Sequence, residues 1–345
     1  MKLKGPQLFS IQFVLVFAFF TSQADEIAMP TNTYSASSAG ATSQTRFVID
    51  YSLRLNMNRN SDQSSQMHFL GFDFFRNFSI NGKDIGALLI QPYLIKAVRL
   101  NPHPGLFDDP DDTALQFRNV YFRFAPLFDG RAQISLGHVE FPYGLEREYE
   151  TNATLRQFGN AWDAGQKDDW GVAIDGYTAS LKYDVSMTRG SGNEWRDDGD
   201  PYLLTARVGT RLDNWVAFGL TVVKGELWSP SGHTNERERV AVDARLEYRR
   251  WGFLGQYSRG KNNDVSARRS VVEVNWNYGY DEWLIYAQGY HCELGTETDN
   301  QSTMSFGLRF EPNNRFAFEI DYTADISNFG KQKRKLLRGQ IRLRI

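Results

Sequence analysis

The chain has 345 residues, a formal net charge of −2, 41% hydrophobic and 14% aromatic residues, and one cysteine. It is too apolar and aromatic for a disordered protein and too neutral for a nucleic-acid-binding polycation, so no nucleic-acid partner is expected. A single cysteine excludes an intramolecular disulfide and a multi-thiolate zinc centre, and a mean hydropathy of −0.48 taken alone reads as soluble.

Lys2 and Lys4 precede an apolar run from Leu8 to Phe20, which is followed by Ser22-Gln23-Ala24 and Asp25. A basic start, a short apolar core and a small-x-small end describe a secretory signal peptide over residues 1–24, cleaved after Ala24. Residues 25–45, rich in Ser, Thr and Ala, read as a flexible lead-in. Beyond the leader no apolar run reaches 18 residues, which argues against membrane-spanning helices.

From Arg46 the chain alternates with period 2. Phe47, Ile49, Tyr51, Leu53, Leu55 and Met57 fall on one face, and Arg46, Val48, Asp50, Ser52, Arg54 and Asn56 on the other. The same pattern recurs at 131–136, 179–187, 202–212, 239–249, 269–278, 303–310, 315–322 and 336–345. Rougher runs at 67–75, 85–98, 115–124, 170–176, 215–223, 251–257 and 282–290 bring the expected strands to sixteen, with Pro92 implying a bulge. The linkers between them alternate. Long ones are expected near 58–66, 99–113, 139–168, 189–200, 225–237, 259–268, 291–302 and 324–333, and short ones at 177–178, 213–214, 279–281 and 311–314. Even strand number with alternating loop length is the signature of a transmembrane antiparallel β-barrel of the bacterial outer membrane, porin-like and all-β, over residues 46–345. Trp215, Trp251, Trp283 and Phe316 each follow a short turn, where a periplasmic aromatic girdle belongs.

On the nine cleanest strands the apolar face carries no charge, as a lipid-facing wall should, while the other face carries fifteen basic and seven acidic residues. A barrel of sixteen strands encloses an aqueous channel, and a basic lumen concentrates anions. The expected function is therefore a channel for small, mainly anionic solutes. Its candidate pathway is Arg46, Arg54, Arg131, Lys182, Arg207, Arg211, Arg245, Arg269, Arg309, Arg338 and Arg342. The competing reading has these side chains paired with acids on neighbouring strands, stiffening the wall. The third long linker, 139–168, is the longest, and folding into the lumen would make it a constriction carrying Glu146, Arg147, Glu148, Glu150, Arg156 and Asp163; the alternative is an extracellular excursion.

The runs Phe117-Arg118-Asn119-Val120-Tyr121-Phe122-Arg123-Phe124 and Ile134-Ser135-Leu136-Gly137-His138-Val139-Glu140-Phe141-Pro142-Tyr143-Gly144-Leu145-Glu146 carry a family likeness. This stretch resembles the phosphate-selective porin O and P family, in which a Leu-Gly-x-x-x-x-Pro-x-Gly-x-Glu pattern leads into the constriction loop. The resemblance implies a 16-stranded anion channel, assembled as a homotrimer. The chain departs from the family in two ways. Lys182 is the one lysine among the fifteen basic inner positions, so the family's lysine-rich phosphate path has no counterpart, although arginine can bind oxyanions bidentately. The last residue is Ile345, where an aromatic is usual.

Two other classes compete. An outer-membrane enzyme would need a base, and His68, His103, His138, His233 and His291 sit in no recognisable hydrolase motif. A sheath around a partner protein is the second alternative. His291-Cys292 could be a metal pair or reactive thiol, and Asp108, Asp109, Asp111 and Asp112 could bind calcium or bridge to lipopolysaccharide, but neither has diagnostic ligand spacing. No cofactor and no resident metal are expected. The remaining partners are outer-membrane lipid, lipopolysaccharide and the solute.

Overall fold

Apolar residues facing outward and polar residues facing inward alternate along sixteen strands of the computed structural model, which describes residues 44–60, 63–81, 83–99, 113–127, 131–145, 154–158, 163–195, 201–211, 215–228, 233–279, 282–295, 300–328 and 333–345. The leader and the Asp108–Asp112 cluster lie outside these residues. In chain order the strands are β1 (Thr45–Asn58), β2 (Gln63–Ile80), β3 (Lys83–Arg99), β4 (Thr113–Leu127), β5 (Ala132–Glu140) and β6 (Asp168–Tyr177). They continue with β7 (Leu181–Thr188), β8 (Leu203–Thr210), β9 (Val216–Trp228), β10 (Thr234–Tyr248) and β11 (Trp251–Asn262). The last five are β12 (Val265–Tyr278), β13 (Trp283–Leu294), β14 (Gln301–Asn313), β15 (Phe316–Asn328) and β16 (Lys335–Arg344).

Each strand pairs antiparallel with its chain neighbours, and β1 pairs with β16 to close the barrel. At that seam the last residue is part of the ladder: Ile345 and Ile49 exchange backbone hydrogen bonds of 2.8 and 2.9 Å. The expected bulge at Pro92 is present as a register shift between Ile90 and Pro92.

Burial is inverted relative to a water-soluble sheet. On β1, Phe47 is 56% and Met57 55% exposed, whereas Asp50 is 2% and Ser52 3% exposed. A dry apolar exterior around a polar interior is what a lipid-embedded barrel requires, since lipid rather than protein covers the outer face. Trp215, at 66%, and Trp251, at 48%, stand exposed at the short-turn end, where the girdle was expected.

The interior is closed by hydrogen bonds that skip a strand. Tyr93 on β3 reaches over Gly71 on β2 to donate to Asp50 on β1, at 2.9 Å, and all three positions share one register. Tyr286 on β13 likewise passes over Gly307 on β14 to Glu319 on β15, at 2.8 Å. Arg207 on β8 passes over Gly219 on β9 to Asp243 on β10, at 2.7 Å. A Cβ at Gly71 would lie 2.5 Å from the Tyr93 ring, at Gly307 2.2 Å from Tyr286, and at Gly219 2.4 Å from Arg207. These glycines are the space through which each donor passes.

The linkers correct one sequence expectation. The long connections are 100–112, 141–167 and 189–202, but the expected long linker 259–268 is a two-residue turn of Asn263 and Asp264, with Asn263 at φ 50°. The linkers 58–66 and 225–237 are also mostly strand, and 291–302 and 324–333 are half strand. At these strand ends the outward face turns charged, as with Lys224, Glu238, Arg259, Lys261 and Arg268. Strand that stands above the hydrocarbon meets water on both sides, so the apolar alternation ends before the ladder does.

Replacing Gly307 by Val is expected to destabilise the barrel by about 1–3 kcal/mol, through overpacking against Tyr286 and loss of its bond to Glu319. Gly339→Ala, where nothing lies within 4 Å of an added Cβ, should leave stability unchanged. Thermal loss of the β-sheet circular dichroism signal in detergent compares them, and equal melting would refute the skip-strand role.

Candidate solute pathway and inner loop

The loop after β5 turns into the barrel because its residues match the wall they meet. Phe141 and Tyr143 are fully buried against Leu203, Val223, Leu227 and Ala241, the inward-facing apolar residues of β8, β9 and β10. Gly144, at φ +55°, lets the backbone lie against Gln256, and its N–H donates to Thr221 Oγ1 at 3.3 Å. Residues 146–153, including Glu146, Arg147, Glu148 and Glu150, lie outside the described residues.

When the loop is next described it is on the far wall. Thr154 Oγ1 donates to Glu319 on β15 at 3.0 Å, and the Thr154 carbonyl accepts from Arg54 on β1 at 3.3 Å. The Leu155 carbonyl accepts from Arg338 on β16 at 3.0 Å. Arg156 grips Glu273 on β12 with two hydrogen bonds, of 2.9 and 2.5 Å, the bidentate geometry that strengthens a guanidinium–carboxylate pair. Gln157 exchanges backbone–side-chain bonds with Gln288 on β13, at 2.9 and 2.6 Å.

The return is fixed by Asp163. Its carboxylate accepts from Arg239 Nε on β10 at 2.9 Å, from the Tyr143 hydroxyl and from Ser258 on β11, with Arg269 on β12 at 3.8 Å. Burial and the neighbouring Asp163 carboxylate both push the Tyr143 phenol well above its ordinary range, so it remains a donor. Apart from its own flanking strands, the described loop thus bonds to β1, β9–β13, β15 and β16.

The candidate pathway residues divide into several groups. Arg54 and Arg338 hold loop carbonyls, Arg269 faces Asp163 of the loop, and Arg156 of the loop pairs with Glu273 on the wall. Arg207 pairs with Asp243, Arg338 also with Asp321 at 2.7 Å, and Arg342 with Asp50. Arg245 stands 3.4 Å from Glu247, and Arg309 bonds Glu311. Lys182 is inward and half-buried, and Arg211 follows β8 with its guanidinium over the Tyr177 ring at 5.3 Å. Arg46 and Arg131 are exposed at the short-turn rim, and Arg131 lies in the turn before β5 rather than on the wall. Among the arginines, then, the pairing expected by the competing reading is extensive. The face count from nine strands also missed Asp73 and Asp175, which bind Arg344 at 2.6 Å and face Arg123 at 3.8 Å.

Two other candidates change position. His291 and Cys292 lie within β13, not in a loop, and point to opposite faces: His291 outward, bonding Ser302 at 2.8 Å, and Cys292 inward and buried. Among the described residues no group of acids, histidines and cysteine could hold a metal. His68 and His138 also lie on the outer face, against Tyr51 and Trp170. Sequence reasoning missed Arg237, inward on β10, because it fell within an expected loop.

No protein-family model matches this sequence, and no curated protein does. Solved structures do match. The high-pH structure of Pseudomonas putida OprB superposes with a TM-score of 0.65 at 9% identity, covering 87% of this chain and 94% of that one. OmpTdeltaL8, a loop-deletion mutant of an outer membrane protein of Vibrio cholerae, gives 0.63 at 12% identity, over 88% and 99%. An anion-selective porin from Comamonas acidovorans gives 0.60 at 9%, over 88% and 100%. The chain has the porin fold. In that fold residues 117–127 and 131–145 lie in β4, β5 and the entry to the inner loop. A closed porin barrel with an apolar exterior belongs in the bacterial outer membrane.

Replacing Asp163 by Ala leaves Arg239 buried without its counter-charge, a loss of about 3–5 kcal/mol in such settings. Trypsin is expected to cleave the Asp163→Ala protein at Arg156 while the barrel stays closed by circular dichroism; resistance equal to the parent would rule out this anchor. Because folding raises the Tyr143 ionisation, the seat is complete below pH 10 and weakens as pH climbs through the raised value. Cleavage at Arg156 followed against pH should therefore begin only on the alkaline side.

Proposed function

We propose that this protein is a diffusion channel for small solutes, with the inner loop as its constriction and a preference for anions. The observation that carries the reading is the seating of residues 154–157 on inward-facing side chains of β1, β12, β13, β15 and β16, across the lumen from the loop's origin on β5. A lumen crossed by the chain's own loop favours a narrowed channel over a sheath around a partner. The inward-facing strand residues described include no histidine, which favours a channel over an enzyme.

Anion preference is supported by the distribution of charge. Asp50, Asp73, Asp163, Asp243, Glu273 and Asp321 each hold an arginine, which removes the acids that would attract cations and leaves the remaining basic groups to set the field. The anion selectivity in the name of the Comamonas acidovorans porin agrees with this reading. Phosphate selectivity, which the resemblance at 117–146 implies, is not part of the proposal, because the family's lysine-rich path has no counterpart in this chain. Homotrimeric assembly is proposed on the analogy of the Vibrio cholerae OmpT trimer form, which matches at a TM-score of 0.59. Outer-membrane lipid and lipopolysaccharide are the proposed surroundings of the apolar belt.

Planar-bilayer recordings test both parts. Reversal potentials across a potassium chloride gradient should show anion preference, and cation preference would overturn it. Deleting residues 145–160 should raise single-channel conductance; unchanged conductance would mean that the loop does not limit flow.

A further inference from the structure

The outer face carries a polar cluster near its long-loop end that the lumen does not involve. His291 on β13 stands between two hydroxyl-bearing neighbours at one register, Ser302 on β14 and Ser270 on β12. Its Nδ1 lies 2.8 Å from Ser302 Oγ, and its Nε2 lies 3.1 Å from a carboxylate oxygen of Glu293, two residues on along the same face. An ionised carboxylate only accepts, so the Nε2 proton points at Glu293 and Nδ1 is left as the acceptor for the Ser302 O–H. Arg268 on β12 stands 3.6 Å from the other oxygen of Glu293 and steadies it. The His291 and Glu293 side chains are 41% and 38% exposed, and Ser302 is half-buried, so all three are reached from outside the barrel. His68 and His138, also on the outer face, meet a phenol and a backbone carbonyl instead.

Hydroxyl, imidazole and carboxylate joined in that order are the parts of a nucleophilic hydrolase, which is recognised by geometry and role rather than by position in the chain. A register shift on the β14–β15 pair falls between Ser302 and Thr303, and such bulges re-aim side chains beside active sites. The place on the barrel selects the substrate. One step toward the short-turn end the same face is apolar, with Val272, Gly289 and Met304 at one register. Val272 is 50% and Met304 41% exposed, and a Cβ at Gly289 would meet nothing within 4 Å. One step the other way stand Arg268 and, opposite it on β11, Arg259, both exposed. The cluster thus sits where hydrocarbon ends and headgroup charge begins. A fatty-acyl ester of an anionic lipid fits that depth, with its carbonyl at Ser302, its chain along Gly289 and Met304, and its phosphate toward the arginines.

We propose that Ser302, His291 and Glu293 form a hydrolytic site on the outer face of the barrel, acting on fatty-acyl esters of membrane lipids. Ser302 Oγ attacks the ester carbonyl while His291 Nδ1 takes its proton. The carbon–oxygen bond to the lipid alcohol then breaks as His291 gives that proton to the leaving oxygen. Water attacks the acyl ester left on Ser302, one of its protons passes through His291 back to Ser302 Oγ, and the fatty acid departs. One water is consumed for each ester cleaved. Glu293 is a positioning residue, which fixes the imidazole tautomer and balances its charge during the transfer. Ser270 and Arg268, on the same face, are the donors for the carbonyl oxygen as it becomes anionic. No lumen residue takes part, so the inference stands or falls independently of the channel reading.

The test uses the full-length protein in detergent micelles, with dipalmitoyl phosphatidylglycerol as substrate and a long-chain alkyl fluorophosphonate as covalent probe. The parent should release palmitate, and Ser302→Ala and His291→Asn should each lower the rate by at least about a hundredfold. The probe should label Ser302, as located by peptide mass spectrometry. Glu293→Gln should lower kcat while leaving KM in place, and Glu293→Asp should recover part of the loss; a merely structural contact would move neither. Lys96→Gln, which removes a charge from the outer rim of β3, should leave the rate unchanged. Palmitate release no faster in the parent than in Ser302→Ala, or labelling that misses Ser302, would overturn the site. Should the variants fail to fold, labelling of the parent decides by itself.

Discussion

The carboxylates on the inner wall of the barrel set the terms for everything around them. An acid enclosed by a closed sheet needs donors, because burying an unanswered charge costs several kcal/mol. Asp50 holds Arg342 and Tyr93, Asp243 holds Arg207, and Glu319 holds Tyr286 and Thr154. Tyr93, Arg207 and Tyr286 cross an intervening strand to answer those acids, and a glycine in that strand lets each of them pass. The positions of Gly71, Gly219 and Gly307 thus follow from the acids two strands away.

The same acids seat the inner loop, so wall and loop share one network. Glu319 is shared between Tyr286 of the wall and Thr154 of the loop, and Glu273 between Asn275 and Arg156. A loop held this way is not an independent lid. Each tether is a bond that the wall also uses, and its release would leave wall acids unanswered. This favours a loop of fixed position over one that swings in and out of the barrel.

The architecture was legible in the sequence because lipid enforces the period-2 pattern where it touches the strand. All sixteen strands could be read from Phe47 to Ile345, whereas the third long linker was marked only by its length, which left an inward turn and an outward excursion both open. Strand ends were not legible, for the same reason: above the hydrocarbon, Arg259, Lys261 and Arg268 face water, and nothing in their spacing distinguishes ladder from loop. That is why Arg237 passed as a loop residue. The pairing of the arginines was open for a different reason. Composition gives the charges on a face, but Arg342 finds Asp50 across the seam, 292 residues away in the chain, and only the closed register brings them together.

Strand length is uneven around the barrel: β2 has 18 residues and β12 has 14, while β7 and β8 have 8 each. At roughly 3.3 Å per residue and a tilt of about 40°, an eight-residue strand stands only about 20 Å tall, short of the ~25 Å apolar band of outer-membrane barrels. The perimeter is therefore mismatched on one sector alone. A bilayer meeting β7 and β8 must thin there or yield that sector to the wall of an adjacent barrel, so this protein marks a preferred side in a membrane that has none.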